Sequence, residues 1–238
     1  MSDSRTVRRA LVMAGVGGVV AAAGLIGPGA ASADAADSCA DVAVVFARGT
    51  AEPAGVGRVG QAFVDDLQGD LGGRNVSVYA VNYPASYDFL QSAPQGAGDA
   101  SAYIQATAAS CPDTSIVLGG YSQGAAVVDL ITADPSATFG FGQPMPSAVA
   151  GHVGAIAVFG NPSDKIGRSL AAVSPLYGAK TIDLCNGADP VCSDGDDRAA
   201  HSLYPESGLV RQAANFVSGR LAGHNPPDVV ITASATVG

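Results

Sequence analysis

Five short apolar runs, together with segments of helical spacing, constrain the fold of this chain more than any other feature of its sequence. The runs are rich in β-branched residues and nearly continuous rather than alternating, which is typical of strands covered on both faces. They are Val42–Ala47, Val76–Val81, Ser115–Leu118, Val153–Phe159 and Ala179–Leu184. The segments with helical spacing are Arg58–Leu71, Ala97–Ala109, Gln123–Ile131 and Leu209–Leu221. This alternation predicts an α/β fold, a three-layer sandwich with a central, mostly parallel five-stranded sheet flanked by helices.

The first 33 residues have the organisation of a secretory signal peptide. Three arginines precede an uncharged, apolar stretch over residues 11–30, and a triplet of small residues ends at Ala33. We therefore expect cleavage after Ala33 and a secreted protein, extracellular or associated with the cell wall. A retained membrane anchor is the alternative, since the stretch approaches the ~20 residues of a membrane span. The pair Arg8-Arg9 leaves the export route open between the general and the twin-arginine pathways.

The remaining chain has the length of a single domain, which we expect over residues 34–224. The whole chain has a net charge of −9, and no run rich in lysine or arginine follows residue 9. This balance argues against nucleic-acid binding, which needs a basic surface. Residues 134–151 are rich in glycine and proline and predict a long surface loop, whereas residues 225–238 predict a loosely ordered tail. We expect the domain to be a monomer.

The segment Gly120-Tyr-Ser-Gln-Gly124 is the strongest chemical feature of the sequence. It has the Gly-x-Ser-x-Gly pattern and lies between a predicted strand and a predicted helix. A serine in such a tight turn is exposed above the carboxyl end of the sheet, and the flanking glycines avoid side-chain clashes. The amides at the start of the helix favour developing negative charge. These properties predict that Ser122 is a nucleophile, with an ordinary strand-to-helix turn as the alternative.

A nucleophilic serine needs a base, and the chain contains three histidines. In α/β-hydrolases the acid and then the histidine follow the serine along the chain. Only Asp129 and Asp134 lie between Ser122 and His152, and both are on or at the end of the helix after the serine. His224 follows the last predicted helix. His201 lies in a loop between a strand and that helix, so we expect His201 to be the base.

Several aspartates are candidates for the acid that orients this histidine. Asp189 lies between Cys185 and Cys192, and a disulfide between these cysteines would hold its carboxylate in place, as a catalytic acid requires. The other candidates lie in a predicted strand or in polar turns. We therefore prefer Asp189 among Asp164, Asp183, Asp189, Asp194, Asp196 and Asp197.

The four cysteines allow three disulfide connectivities. Pairing Cys185 with Cys192 closes a short loop and leaves Cys39 to pair with Cys111. That second disulfide joins the start of the first strand to the segment before the strand that leads to the serine turn, or elbow, at Gly120–Gly124. A metal site is the alternative. It is disfavoured because the sequence has no Cys-x-x-Cys pair and no histidine at ligand spacing beside a cysteine.

Four separate pieces of the chain resemble the cutinase family of secreted serine esterases, in its actinobacterial cutinase-like branch. The resemblance covers about residues 39–221 and is specific when the pieces are taken together, because the elbow alone occurs in many hydrolases. The pieces are Phe46–Glu52 (FARGTAE), the Gly120–Gly124 elbow, Val158–Pro162 (VFGNP) and the Cys185–Cys192 loop with the following His201.

The resemblance implies a role for each matching position. Ser122 would be the nucleophile, Asp189 the acid and His201 the base. The oxyanion hole would use the backbone N–H of Gln123 together with Thr50, a position where the family often has serine. The resemblance also implies an exposed serine without a large lid, and no metal or organic cofactor. The disulfides that it implies are Cys39–Cys111 and Cys185–Cys192.

The same resemblance implies a carboxylic ester hydrolase that forms an acyl-enzyme intermediate. Its substrates would be cutin-like polyesters or short- to medium-chain acyl esters, and the acidic surface mildly favours neutral esters. The alternatives are an acetyl(xylan) esterase, a lipase or phospholipase on the same fold, and a non-catalytic secreted surface protein. Residues 83–87 are a candidate for one wall of the cleft, with an ordinary turn as the alternative.

Overall fold

The computed structural model of the protein describes residues 39–138, 141–224 and 226. The strands are β1 (Val42–Ala47), β2 (Val76–Ala80), β3 (Ser115–Tyr121), β4 (Val153–Phe159) and β5 (Thr181–Leu184). The helices are α1 (Gly57–Asp70), α2 (Phe89–Ser110), α3 (Gln123–Thr132), α4 (Leu170–Val173) and α5 (Leu209–Ala222). The predicted signal peptide lies outside the described residues, as does the predicted tail apart from Pro226.

The central sheet has the strand order β2-β1-β3-β4-β5, and all four strand pairs are parallel. The α/β class predicted from the alternating pattern is therefore confirmed, with a sheet that is parallel throughout. Strands β1, β3 and β4 are buried along their whole length, which explains their nearly continuous apolar sequences. The chain reverses direction across the sheet between β1 and β3, and ligands of open α/β sheets bind at the carboxyl end of such a switch point.

Helices cover both faces of the sheet, and each face has its own hydrophobic core. On one face the strands pack against α2 and α3, and on the other they pack against α1 and α5. The second core contains a cluster of aromatic rings, in which the centroids of Phe46, Phe63 and Phe159 lie 5.9–6.4 Å apart. Within the described residues no helix is both long enough and apolar enough to cross a membrane.

Two of the predicted elements begin or end three or more residues away from the prediction, and the others agree within two residues at each end. Helix α2 starts at Phe89, eight residues before the predicted Ala97, and contains Pro94. Proline removes one intrahelical hydrogen bond, which locally disfavours a helix across it, but burial of Ser92 and Ala93 in the first turns outweighs this penalty. Strand β3 continues through two glycines to Tyr121, because they pair with the end of β1.

The predicted surface loop over residues 134–151 is more ordered than its composition indicates. Its last five residues form a 3-10 helix, Ser147–Gly151. Met145 and Val149 are buried in the core beneath α2 and α3, so the segment is anchored by apolar contacts. Such anchoring cannot be inferred from glycine and proline content, because the apolar contacts are made with residues that are distant in the sequence.

Two disulfides are present, and they have the connectivity that the resemblance implies. Cys39 pairs with Cys111, joining the residues before β1 to the end of α2. Cys185 pairs with Cys192 and closes a loop directly after β5. The first closes a loop of 72 residues, for which the chain-entropy model gives about 4 kcal/mol of stabilisation.

Candidate active site

Ser122 occupies the sharp turn between β3 and α3, at the carboxyl end of the sheet. Its backbone has φ 55° and ψ −115°, a strained conformation for a residue with a side chain. The flanking glycines are required by close backbone approach. A Cβ atom at Gly124 would lie 1.9 Å from the carbonyl oxygen of Ala47, and one at Gly120 would lie 2.2 Å from that of Gly124. The turn therefore depends on the Gly-x-Ser-x-Gly pattern, as the sequence predicted.

The side chains of Ser122, His201 and Asp189 form a continuous hydrogen-bonded chain. The Nε2 atom of His201 lies 3.0 Å from Oγ of Ser122, and Nδ1 lies 2.8 Å from Oδ2 of Asp189. His201 is on a short 3-10 turn, Ala200–Ser202, between β5 and α5. The structure thus brings together the three residues selected from the sequence. With the Nδ1 proton directed at the carboxylate, Nε2 is free to accept the proton of the serine.

Asp189 is completely buried and held by several donors besides His201. The hydroxyl of Tyr204 donates to Oδ2 at 2.7 Å, and the backbone N–H of Val191 donates to Oδ1 at 2.9 Å. Desolvation and the bond to Asp189 both raise the pKa of Tyr204, so its phenol stays protonated as a donor. The side chain of Asn186 also donates to the carbonyl oxygen of Ala200 at 2.7 Å, which links the disulfide loop to the histidine segment.

Gly160, at the end of β4, completes the packing around this chain of hydrogen bonds. Its φ of 59° is in the left-handed region, and a Cβ atom there would lie 3.1 Å from Cε1 of His201 and 3.2 Å from Oδ2 of Asp189. Tyr121 donates a hydrogen bond to the backbone carbonyl of His201 at 2.5 Å, and their ring centroids lie 5.0 Å apart. The imidazole is therefore held from several sides.

The other candidate histidines and aspartates lie elsewhere. Nδ1 of His152 is 3.2 Å from the carbonyl oxygen of Pro112, and the ring of His224 packs beside Gly154. Asp197 accepts a hydrogen bond from the backbone N–H of Ala199 at 2.9 Å, which shapes the turn that carries His201. The remaining aspartates are in a separate carboxylate cluster, described below, or in exposed turns.

Of the two residues expected to form an oxyanion hole, Gln123 follows Ser122 in the chain and Thr50 lines the same cleft. Gln123 is the first residue of α3, where a backbone N–H has no acceptor within the helix. Its buried side chain donates to the carbonyl oxygen of Ser86 at 2.7 Å and accepts from the hydroxyl of Ser92 at 2.9 Å. Thr50 follows β1 and lines the same cleft as Ser122, His201 and Tyr87, with a volume of about 410 Å³. Of the candidate segment 83–87, Tyr87 lies in the cleft wall.

Arg48 is a site residue that the sequence analysis missed. It is only 6% exposed, and its guanidinium donates to the carbonyl oxygens of Glu52 at 2.9 Å and Tyr83 at 2.7 Å. It also lies over the ring of Tyr83, 5.0 Å from the centroid. An arginine directly after an apolar strand is a detectable signal, because arginine is rarely buried without partners. Arg48 thereby fastens the loop of Thr50 to the segment that forms the cleft wall.

Glu52 and local backbone strain reinforce this connection. The Glu52 carboxylate accepts the backbone N–H groups of Gly49 at 2.6 Å and Arg58 at 2.8 Å. The N–H of Ala51 donates to the carbonyl oxygen of Ala85 at 2.7 Å. Among the described residues, the non-glycine positions with positive φ are Ala51, Ala85 and Ser122. Strain is thus concentrated at the cleft, which is typical of functional sites.

A second cluster of carboxylates lies beside α3, away from the histidine. Asp129 accepts hydrogen bonds from the hydroxyl of Ser163 at 2.5 Å and the amide of Asn161 at 3.2 Å, and the same amide donates to Asp183 at 3.1 Å. Desolvation raises the pKa of Asp129 to about 7. Desolvation and the charge of Asp183 raise the pKa of Asp164 to about 8, and desolvation also raises the pKa of Asp183.

Because of this cluster, we expect the stability of the fold to fall as the pH rises from about 4 to about 8. Because the folded pKa values lie above the unfolded value of about 3.9, the native state retains protons that the unfolded chain releases. The resulting stabilisation is complete below about pH 4 and is lost as the pH rises through 7 to 8. We expect Tm to fall by several degrees between pH 5 and pH 8.5, measured by calorimetry. Asp129→Asn should make Tm depend less steeply on pH, whereas Asp194→Asn, in an exposed turn, should keep the wild-type dependence. If Tm fell equally with pH in all three proteins, the carboxylate cluster would not be its cause.

No group of three or more histidine, cysteine, aspartate or glutamate side chains in the described part of the chain has an arrangement that could hold a metal ion. Asp129 and Asp183 are joined instead by hydrogen bonds through Asn161, and Asp129 also accepts one from Ser163.

Comparisons with known proteins agree with this geometry. A family model described as Cutinase matches residues 38–221. Carboxylesterase Culp1 of Mycobacterium tuberculosis is 52% identical over 200 residues, covering 82% of this chain and 88% of the relative. Phospholipase Culp4 of the same species is 50% identical over 206 residues, covering 87% of this chain and 90% of the relative.

Solved structures show the same fold. The Trichoderma reesei cutinase in complex with a C11Y4 phosphonate inhibitor matches with a TM-score of 0.63 and 36% identity, covering 77% of each chain. The catalytic core domain of acetyl xylan esterase from Trichoderma reesei matches with a TM-score of 0.65 and 27% identity, covering 77% of this chain and 100% of the other.

Proposed function

Since this chain belongs to the cutinase family and is a serine esterase, we propose that Ser122, His201 and Asp189 are its catalytic triad. The proposal is carried by one observation, the chain of hydrogen bonds from Oγ of Ser122 through both imidazole nitrogens to the buried Asp189. The reaction is hydrolysis of a carboxylic ester through an acyl-enzyme intermediate.

The proposed mechanism uses each of these groups in turn. Nε2 of His201 takes the proton from Ser122 as the oxygen attacks the ester carbonyl carbon. The tetrahedral oxyanion accepts hydrogen bonds from the backbone N–H of Gln123 and from Thr50. His201 then gives its proton to the leaving alcohol, and the acyl group remains on Ser122. A water molecule activated by His201 attacks the acyl-enzyme, releasing the acid and restoring the serine hydroxyl.

For the substrate, we propose neutral acyl esters and cutin-like polyesters. The proposal is supported by the relative named carboxylesterase and by the structural likeness to a cutinase. Hydrolysis of phospholipid acyl esters is a second candidate, favoured by 50% identity to a relative named phospholipase. Assays with p-nitrophenyl esters, a polyester film and phosphatidylcholine vesicles distinguish these substrates. The domain is proposed to work as a monomer that requires no metal or organic cofactor.

We also propose that the protein is exported. Two disulfides in one domain are typical of oxidising compartments outside the cytoplasm. The sequence of the first 33 residues supports the same conclusion. N-terminal sequencing of protein recovered from culture medium tests both export and cleavage after Ala33.

Labelling with a p-nitrophenyl alkylphosphonate ester tests the proposed nucleophile directly, because attack of the serine oxygen on phosphorus expels p-nitrophenolate. One phosphonyl group should be added per molecule, at Ser122, and loss of p-nitrophenyl butyrate hydrolysis should follow the extent of labelling. The measurement is intact-mass and peptide mass spectrometry during inactivation. Labelling at another residue, or full activity in labelled protein, would refute the triad.

The contacts of Arg48 predict that it positions the oxyanion hole. Arg48→Met leaves the carbonyl oxygens of Glu52 and Tyr83 without their donor, so Thr50 is held less firmly. We expect kcat for p-nitrophenyl butyrate to fall by about 10- to 100-fold, a fraction of the loss of a whole oxyanion donor, with KM nearly unchanged. Arg211→Gln, which breaks surface ion pairs between α5 and α1, is the matched control and should keep wild-type kcat. An unchanged kcat in Arg48→Met at temperatures where it is folded would contradict this role.

A further inference from the structure

The hydroxyl of Tyr204 contacts the proposed triad from inside the protein. Tyr204 is fully buried, and the residues that line the cleft of Ser122 do not include it. Its phenol oxygen lies 2.7 Å from Oδ2 of Asp189, the same oxygen atom that lies 2.8 Å from Nδ1 of His201. The phenol and the imidazole therefore share one acceptor atom.

The other neighbours of this hydroxyl determine where its proton points. The backbone N–H of Asn186 donates to the phenol oxygen at 3.1 Å. Sγ of Cys192 lies 3.4 Å away, but it belongs to the disulfide with Cys185 and carries no proton to donate. A disulfide sulfur is also a much weaker acceptor than a carboxylate. The proton of the phenol is therefore directed at Asp189.

The ring of Tyr204 is held between two strands of the sheet and the segment that carries the histidine. Its centroid lies 5.8 Å from that of Tyr121 in β3 and 5.9 Å from that of Phe159 in β4, both in edge-to-face contact. Tyr204 follows His201 by three residues, before α5 begins. Tyr204→Phe would keep these ring contacts and remove only the hydroxyl.

We propose that Tyr204 is a positioning residue that acts through Asp189 to limit the basicity of His201, an inference that rests on the proposed triad. The negative charge of Asp189 stabilises the imidazolium that forms when Nε2 takes the proton of Ser122. A second donor on Oδ2 stabilises part of the same charge, so less of it is available to the imidazolium. The hydroxyl of Tyr204 therefore extends ester hydrolysis to lower pH.

The other ionisable groups that face the imidazole are unchanged when this hydroxyl is removed. One lies on β3, and the others line the cleft on the side of β1 and α1 or pair with a residue there. They are Tyr121, whose ring centroid is 5.0 Å from that of His201, Glu52, and Arg58 with its ion-pair partner Glu206. A displaced pH profile in Tyr204→Phe is thus caused by the bond to Asp189.

The test measures kcat/KM of Tyr204→Phe for p-nitrophenyl butyrate against pH, since this profile reports groups of the free enzyme. The half-maximal point on the acid side should move upward by about half a pH unit, a fraction of the roughly one to two units equivalent to a whole charge-assisted hydrogen bond. On the plateau, kcat should stay within about tenfold of wild type, because Val191 and His201 still donate to the carboxylate. The rate of phosphonylation of Ser122 should show the same displacement.

A stronger donor in place of Tyr204 should have the opposite effect. Meta-fluorotyrosine, incorporated at this position by an engineered tRNA, keeps the ring and the hydroxyl, and its fluorine makes the phenol more acidic. The half-maximal point on the acid side should then move to lower pH. A merely structural role of the tyrosine would not give displacements of opposite sign in the two proteins.

Tyr177→Phe is the matched control. Tyr177 is also buried, but it packs in the core on the other face of the sheet, and its hydroxyl has no hydrogen-bond partner among the described residues. Its removal should leave the wild-type profile.

Two results would overturn the proposal and leave the triad intact. One is a profile of Tyr204→Phe that is unchanged or displaced to lower pH, and the other is a profile of the fluorotyrosine protein that is unchanged or displaced to higher pH. If Tyr204→Phe does not fold, the fluorotyrosine protein decides alone. A wild-type protein that hydrolyses no ester would instead refute the proposed function.

Discussion

Replacing Ser122 by alanine is expected to lower kcat for p-nitrophenyl butyrate by about 10⁵- to 10⁶-fold, as in other hydrolases that lose a triad serine. The variant has no hydroxyl to receive the acyl group and give up its proton to His201. Its oxyanion donors and cleft remain, so a residual rate above that in water should persist. The measurement is steady-state hydrolysis, with contaminating wild-type enzyme excluded by phosphonate titration.

Ser202 provides the matched control for this substitution. It lines the same cleft and follows His201 in the chain, but it is not part of the hydrogen-bonded chain of Ser122, His201 and Asp189. Ser202→Ala should therefore stay within a few-fold of wild-type activity. If Ser122→Ala retained more than a small fraction of the turnover, another nucleophile would have to be sought.

Asparagine at position 189 should cost about 10⁴-fold in kcat. Both oxygens of the Asp189 carboxylate act as acceptors: Oδ1 from the N–H of Val191, and Oδ2 from Tyr204 and His201. An asparagine has only one oxygen, so its NH₂ group must face a donor in either orientation. The histidine then loses the partner that fixes its Nδ1 proton, and Nε2 is no longer held ready to accept from Ser122.

The Asp189→Asn variant is best measured beside Asp194→Asn, which makes the same change in an exposed part of the neighbouring turn. Calorimetry of both variants separates loss of folding from loss of catalysis, since Asp189 is fully buried and Asp194 is exposed. A folded Asp189→Asn enzyme with near wild-type kcat would show that the acid is elsewhere.

The serine turn could be predicted from the sequence because its determinants are local. Gly120 and Gly124 lie two residues from Ser122, and the apolar run and helical segment around them define the turn. His201 is 79 residues away. Its selection depended on the order of the acid and the histidine along the chain, and on the short Cys185–Cys192 loop around Asp189. The structure places all three within hydrogen-bond distance.

The contacts of Arg48 and the carboxylate cluster could not be predicted in the same way. Arg48 binds carbonyl oxygens up to 36 residues away, on a segment whose path is set by the pairing of β1 with β2. Asp129 and Asp183 lie on α3 and β5 and meet through Asn161, after β4. Neither set has a spacing pattern, because their members are brought together only by the order of strands in the sheet.

The hydrogen bonds of Arg48 connect the loop of Thr50 to one wall of the cleft, and this connection limits how the cleft can be altered. Thr50 and Tyr87 belong to two segments that are joined by hydrogen bonds. The Arg48 guanidinium donates to the carbonyl oxygen of Tyr83, and the N–H of Ala51 donates to that of Ala85, so the two segments are expected to move together. Widening the cleft by remodelling residues 83–87 would displace Thr50, the proposed oxyanion donor, at the same time. The width of the cleft at this wall and the position of the proposed oxyanion donor are therefore expected to change together.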